Sequence, residues 1–280
     1  MSDAALPRTL GIIAGGGPLP TQVARAAQAA GRKVFLVGLD GYADRALLSG
    51  FSHEMARLGA FGSIVSALRR EGAVDLVLVG PVRRPSMLDL RPDAEGMRMM
   101  GRIGRAAFGG DDGLLAAVVR VLGEEGFRVL GAHEILTEAL APRGLLTSSG
   151  PDSQAAADIE RGMAVVRALG AVDVGQGCVV QMGIVLAVEA IEGTDAMLAR
   201  AQGLARPGPG GVLVKLVKPG QDRRADLPTI GPGTIANCRA AGLRGIAFEA
   251  DGTLITDRAA TVAAANAAGL FLVGVEPGKG

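Results

Sequence analysis

The 280-residue chain has no tryptophan, one tyrosine and seven phenylalanines. Its core must therefore be built from Ala, Val, Leu and Ile, and base stacking, the usual grip on single-stranded nucleic acid, is excluded as a main activity. Lys and Arg total 29 and Asp and Glu 28, a net charge of +1. With no basic surplus to meet a phosphate backbone, nucleic acid is not an expected partner. The two cysteines, Cys178 and Cys238, are far apart and form no metal-ligand pattern; they read as reduced core thiols of a cytosolic protein. His53 and His133 are isolated and lack ligand spacing, so both read as structural. No charge-free apolar run reaches the roughly 18 residues a membrane span needs. The N-terminus (MSDAA) lacks the basic and apolar regions of a signal peptide. A peripheral contact with lipid remains open.

Glycine is abundant, at 43 residues, and nearly half the chain is apolar. The length suits two domains of ordinary size. The first recognisable unit is a strand (Thr9–Ala14), a turn (Gly15, Gly16, Gly17, Pro18, Leu19, Pro20), a helix over 21–30 closed by Gly31, and a strand over 33–39. This is a βαβ unit. Its glycines would let a ligand approach the backbone, and the helix N-terminus would offer free N–H groups to an anion. Pro18 and Pro20 break the G-x-G-x-x-G spacing, and a tight turn without ligand is the alternative. A helix over 61–71 leads to a strand over 74–79 that stops at Gly80 and Pro81. Arg83 and Arg84 follow that strand end, the edge where open α/β sheets bind ligands, and could clamp a phosphate or form a solvated turn. The run FGGDDG over 108–113 precedes a helix over 114–123. There Asp111 or Asp112 reads as an N-cap, while the pair would also suit hydrated Mg²⁺. A strand over 127–130 and a short helix over 132–138 follow, and residues 140–144 read as a linker.

Beyond the linker the pattern predicts a long helix over 153–169, strands over 173–180 and 182–188, and a helix over 197–205. Residues 206–211 form a loop. Later come a helix over 234–241, strands over 245–250 and 253–255, helix Arg258–Ala268 and strand Phe271–Val275. The most chemically loaded stretch is 212–233. A strand over 212–217 carries Lys215, Lys218 flanks its exit, and Pro219–Gly220 stops it. Gln221, Asp222, Arg223, Arg224 and Asp226 then crowd into six positions before Pro228. The cations could hold a phosphate and the carboxylates a metal or a water; surface ion pairs on a solvated turn are the alternative. Four residues apart, Asp222 and Asp226 face the same way if the loop turns helically. Asp226 could instead pair with Arg224 merely to shape the loop.

These stretches, GIIAGGGPLP (11–20), FGGDD (108–112), DVGQG (173–177), LAVEAIEGTD (186–195) and residues 215–231, run in one order across nearly the whole chain. Together they resemble the LpxI-type UDP-2,3-diacylglucosamine pyrophosphatases of Gram-negative lipid A synthesis. The resemblance implies an α/β protein of two domains, an N-terminal Rossmann-like parallel sheet (1–138) holding UDP and a C-terminal α/β domain with a mixed sheet (139–280) holding diacylglucosamine phosphate. The pyrophosphate would lie in the cleft between them. The implied reaction is Mg²⁺-dependent hydrolysis to UMP and 2,3-diacylglucosamine 1-phosphate (lipid X), with water attacking the phosphorus on the sugar side.

The family pattern Q-D-x-R-x-D-x-P falls on Gln221, Asp222, Arg224, Asp226 and Pro228, with Ala225 at a variable position; Pro81 stands where relatives often have Lys. The resulting site set is Asp222, Asp226 and Lys215 as catalytic and Asp222, Asp226 and Asp112 as metal ligands. Substrate binding falls to Gly15, Gly16, Gly17, Pro18, Gly80, Arg83, Asp111, Gln176, Gln181, Met182, Lys218, Gln221 and Arg224. Residues 179–188, with Met182 and Met197, would line an acyl-chain groove or form ordinary core. The resemblance also implies a cytoplasmic protein and leaves open peripheral contact with the inner membrane and a homo-oligomer. Two rival readings are a non-catalytic nucleotide-sugar binding protein and a nicotinamide-dependent oxidoreductase. The oxidoreductase has only Asp40 to offer a ribose and lacks the glycine fingerprint.

Overall fold

A computed structural model describes residues 8–83, 90–104 and 111–276. Arg84, Phe108, Gly109 and Gly110 lie outside these ranges, as does the side chain of Asp111. The chain forms two compact α/β units. One holds the residues up to Leu136 together with Asp222–Asp226; the other holds Thr137–Gln221 and the residues from Leu227 onward.

In the first unit five strands, β1 (Thr9–Ala14), β2 (Val34–Leu39), β3 (His53–Ala56), β4 (Ala73–Val79) and β5 (Arg128–Leu130), form a wholly parallel sheet. Their order is β3-β2-β1-β4-β5, so the chain reverses its direction of travel between β1 and β4. β2 is buried at every position, as expected where helices cover both faces. Helices α1 (Leu19–Ala29), α2 (Arg45–Leu48), α3 (Phe61–Arg70), α4 (Ala94–Ile103), α5 (Asp111–Glu124) and α6 (Ala132–Ile135) accompany it. Phe35, Val37 and Leu39 of β2 pack with Ile64 and Leu68 of α3 and Val121 and Leu122 of α5. α1 buries Val23, Ala24 and Ala27 and ends before Gly31, whose φ of +78° suits glycine.

Three of these elements escape a periodicity reading. β3 (HEMA) is short and polar, and α2 spans four residues. α4 is entered by an Asp93 side chain accepting from Gly96 N, a capping signal embedded in a Met-, Gly- and Arg-rich run. α5 begins at Asp111, so Asp111 and Asp112 occupy its first turn rather than its N-cap.

The second unit is built on a six-stranded mixed sheet of order β6-β13-β11-β9-β7-β8. The strands are β6 (Gly144–Leu145), β7 (Gly177–Gln181), β8 (Ile184–Val188), β9 (Val212–Lys215), β11 (Gly245–Glu249) and β13 (Phe271–Val275). A two-stranded parallel pair, β10 (Thr229–Ile230) and β12 (Leu254–Ile255), lies beside it in sequence. Helix α7 (Ser153–Ala171) covers one face, meeting Val212, Val214 and Leu216. Helices α8 (Gly193–Gln202), α9 (Pro232–Ala240) and α10 (Arg258–Ala268) pack with Leu213 and its neighbours on the other. The alternation of a strand thus sends Leu213, and with it Lys215, toward the α8–α9 layer.

The expected linker over 140–144 is part of this unit. Ala141 is fully buried, its N–H donates to Thr253 O (2.8 Å), and its carbonyl accepts from Asp251 N. Gly144 pairs with Gly274 in the sheet. A two-residue strand that begins at Gly144, just after Pro142, leaves no periodic trace. The expected groove is also corrected in part. β7 is a buried central strand and Met197 has no exposed surface, so Met197 is core; Met182 is half exposed on the β7–β8 turn.

Candidate functional site

At the switch point of the parallel sheet, the loops after β1 and β4 lie backbone against backbone. Gly15 N donates to Val79 O (2.9 Å) and Gly16 N to Pro81 O (3.0 Å). A Cβ on Gly15 would overlap the Gly80 carbonyl, and one on Gly80 would lie 2.5 Å from Gly16 O. Gly80 and Gly17 have φ of +97° and +73°. Gly15 and Gly80 therefore have a structural reason first, since their two loops share a space that side chains would fill, and Gly17 has one in its positive φ. The same packing brings Pro18 and the uncapped N-terminus of α1 to the ligand-binding edge of the sheet. Arg83 is exposed, and its carbonyl accepts a hydrogen bond from Tyr42 Oη (2.9 Å).

The exit of β5 is the second element of this unit's site. Gly131 N donates to Glu134 Oε1 (2.7 Å), closing the start of α6, which packs against α1. The segment Asp222–Asp226 belongs to this unit, and Ala225 packs on the cluster that includes Leu114 and Val118 of α5. A Cβ on Gly131 would come 3.0 Å from Arg223 O. The segment is one helical turn, with Ala225 N and Asp226 N both donating to Asp222 O (2.9 and 3.3 Å). Asp222 and Asp226 therefore sit on one turn, as their spacing predicts.

Arg224 grips Asp222, donating from Nε to Oδ1 (2.9 Å), from Nη2 to Oδ2 (2.7 Å) and from its backbone N to Oδ1 (3.0 Å). The sequence alternative paired Arg224 with Asp226; its fork instead fits the carboxylate two residues back. The Arg224 side-chain hydrogen bonds hold the Asp222 carboxyl below the ordinary carboxylate range, outweighing the opposing effect of burial. His133, on α6, also has a lowered pKa, which favours its neutral form. Burial lowers its pKa and the Arg223 guanidinium lowers it further, against a smaller opposing pull from Glu134.

Asp112 lies in the first turn of α5 and is partly buried. Among the described residues, no three or more His, Cys, Asp and Glu side chains gather where they could hold a metal ion. Asp112 thus does not join Asp222 and Asp226 in a three-carboxylate cage. Mg²⁺ is commonly held through one or two carboxylates with phosphate and water completing its shell; Asp222 and Asp226 share one turn, and Arg224 donates to both oxygens of Asp222.

In the second unit, the exit of β9 gathers a separate polar group. Lys215 is only 4% exposed. Its Nζ donates to Thr194 Oγ1 (2.8 Å) and Thr229 O (3.5 Å), and Thr194 Oγ1 donates to Glu189 Oε1 (2.8 Å). Lys218 Nζ pairs with Asp173 Oδ1 at 2.6 Å, and Asp173 takes the left-handed φ of +53°. Gln221 closes a turn around Lys218: its Oε1 accepts from Lys218 N, and its N donates to Lys218 O (both 3.1 Å). Gln176 is adjacent, its carbonyl accepting from Leu216 N (3.0 Å); its buried Oε1 has no hydrogen-bond partner among the described residues.

Gln181 and Met182 belong to the opposite end of β7. Gln181 is buried and spends its amide on the 206–209 loop, donating to Arg206 O and Pro209 O and accepting from Arg206 N. Met182 N donates to Asp158 Oδ2 (3.1 Å) in the hairpin turn. The two cysteines are free and buried, each thiol pushed up to about 12 by burial, which leaves them inert packing groups.

Sequence reasoning gave no site role to Glu189, Thr194, Asp173 or Gly131, and it read His133 as structural. A signal for Thr194 was present: strand alternation aims Lys215 at the same side as the apolar residues of α8, and Thr194 is in that helix's first turn. No helix among the described residues is long and apolar enough to cross a membrane.

Family models match both halves of the chain, the LpxI N-terminal domain over residues 9–139 and the LpxI C-terminal domain over residues 142–273. The chain is 45% identical over 276 residues to the UDP-2,3-diacylglucosamine pyrophosphatase LpxI of Caulobacter vibrioides, covering 96% of this chain and 98% of that protein. Among solved structures, a CobK precorrin-6A reductase aligns over 96% of this chain and 88% of its own at 14% identity. Its TM-score of 0.32 is too low to inform the fold.

Proposed function

We propose that the chain, which belongs to the LpxI family, hydrolyses the pyrophosphate of UDP-2,3-diacylglucosamine to UMP and 2,3-diacylglucosamine 1-phosphate (lipid X). The observation that carries this reading is the 45% identity to the Caulobacter vibrioides pyrophosphatase over nearly the full length of both chains.

The residues present support a division of labour. In the first unit, the backbone N–H groups at the start of α1, which the close-packed Gly15–Gly17 turn leads into, and Arg83 suit the phosphates of the UDP portion. In the second, Lys215 and Lys218 suit the phosphate of the sugar, where they would offset charge developing as the anhydride opens. Asp226, on the turn steadied by the Asp222–Arg224 pair, is the group to orient the attacking water and take its proton. The water would attack the phosphorus on the sugar side, so that UMP leaves. Asp222 and Asp226 are the carboxylates that would hold Mg²⁺. When bound, that ion supplies charge neutralisation at the phosphates and a lower pKa for water. An acylated substrate would suit a peripheral contact with a lipid surface.

Hydrolysis of the substrate in ¹⁸O-labelled water, with Mg²⁺ and with excess chelator, tests this reading. Label in the sugar 1-phosphate and none in UMP is expected, with turnover lost in chelator. Tight binding of substrate without any product would point to a nucleotide-sugar binding protein. Full turnover in chelator would remove the metal.

A further inference from the structure

We propose that Glu189 and Thr194 are positioning residues for Lys215, forming a buried chain that fixes the direction of its ammonium group. The proposal rests on the reading that Lys215 meets a phosphate of the substrate.

The direction of each bond in the chain is set by chemistry. An ammonium group only donates, so Thr194 Oγ1 accepts from Lys215 Nζ, and the single hydroxyl hydrogen is left for Glu189 Oε1 (both contacts 2.8 Å). Lys215 has three N–H donors. Thr194 Oγ1 takes one and Thr229 O, at 3.5 Å, a second, which leaves the third for a phosphate oxygen. A lysine that is 4% exposed cannot rely on water for a counter-charge. Glu189 supplies it through the hydroxyl.

The backbone is shaped to admit the carboxylate. Glu189 N donates to Gly177 O (2.8 Å), and a Cβ on Gly177 would stand 2.6 Å from Glu189 Oε2. That oxygen is buried and has no hydrogen-bond partner among the described residues. A buried carboxylate with half its capacity unused is costly as mere scaffolding. Facing an ammonium group across one hydroxyl, it has an electrostatic reason to be there.

The test uses the full chain acting on UDP-2,3-diacylglucosamine, with thermal melts alongside. Thr194→Val keeps the shape and removes the bridge; kcat/KM should fall about tenfold, the scale for losing a group that orients a site residue. Thr194→Ser, which keeps the hydroxyl, should stay within about twofold of the native value. Thr194→Val combined with Lys215→Met should be no worse than Lys215→Met alone, because the bridge acts only through that lysine. If Thr194→Val does not fold, Glu189→Gln replaces it in the same cycle. Native kinetics in a folded Thr194→Val protein, or losses that multiply independently in the double variant, would overturn the proposal while leaving the hydrolase reading intact. A native protein with no turnover would overturn the hydrolase reading, and the role given to Lys215 with it.

Discussion

Gly15 and Gly80 occupy one another's side-chain space: Gly15 N bonds to Val79 O at 2.9 Å, and a Cβ on Gly80 would stand 2.5 Å from Gly16 O. The two loops at the switch point of the sheet can approach backbone to backbone because neither has a side chain to bury there. Gly80→Ala must also place a side chain at φ of +97°. Its cost should be on the order of 2 kcal/mol or more, the scale of a clash added to a strained backbone. Chemical denaturation of the variant measures it, and a change under half that size would show that the loops can part.

Asp75 anchors the opposite end of the same sheet. It is 1% exposed and accepts from Arg32 (2.5 Å) and from Arg128 (2.7 and 2.8 Å). Burial would raise its pKa, but the hydrogen bonds from Arg128 and Arg32 outweigh it and hold the carboxyl below its ordinary value. A depressed carboxylate contributes stability above its unfolded pKa and loses it as pH falls through the folded one. Asp75→Asn should therefore cost on the order of 3 kcal/mol at neutral pH, as for a broken buried pair. The difference from the native protein should shrink below about pH 4. Urea melts at neutral and acid pH check both parts.

His133 works in a different window. Burial, and then Arg223, lower its pKa. The unfolded chain takes up a proton near pH 6.5 that the folded one resists, so stability present above that pH is lost as the pH falls below it. His133→Gln should flatten the native protein's loss of melting temperature between about pH 7 and 5. An unchanged slope would remove His133 as the cause.

The Asp222–Arg224 pair predicts a shift in the pH profile of activity. With the guanidinium present, the Asp222 carboxyl stays charged below the ordinary carboxylate range. In Arg224→Ala the acid limb of kcat/KM should move to higher pH. A limb that stays in place would mean that Asp222 does not govern it.

Much of this was legible in the residues. β1, α10 and β13 coincide with their sequence bounds, because each is an uninterrupted apolar or alanine-rich run between glycine, aspartate or proline signals. The turn carrying Asp222 and Asp226 follows from their spacing and from Pro228. Other features rest on contacts between residues distant in sequence, which no local pattern encodes. Gly144 joins the sheet only because Gly274 is there to pair with it. Thr194 becomes a bridge only because β9 aims Lys215 at α8. Gln181 entered the substrate-binding set through the resemblance alone, and its amide is engaged by the 206–209 loop, a contact no local pattern encodes. The loop–loop fit that requires Gly80 depends on β4 lying beside β1, a neighbour relation set by the sheet order.

Product analysis of native and Asp226→Ala proteins, side by side on UDP-2,3-diacylglucosamine, tests the central claim most directly. The native protein should release UMP and 2,3-diacylglucosamine 1-phosphate in equal amounts. Asp226→Ala should fold, bind substrate with little change, and turn over slower by on the order of a hundredfold or more, the scale for losing a positioned acid–base or metal-holding group. Absence of both products from the native protein, or a folded Asp226→Ala protein working at the native rate, would contradict the account.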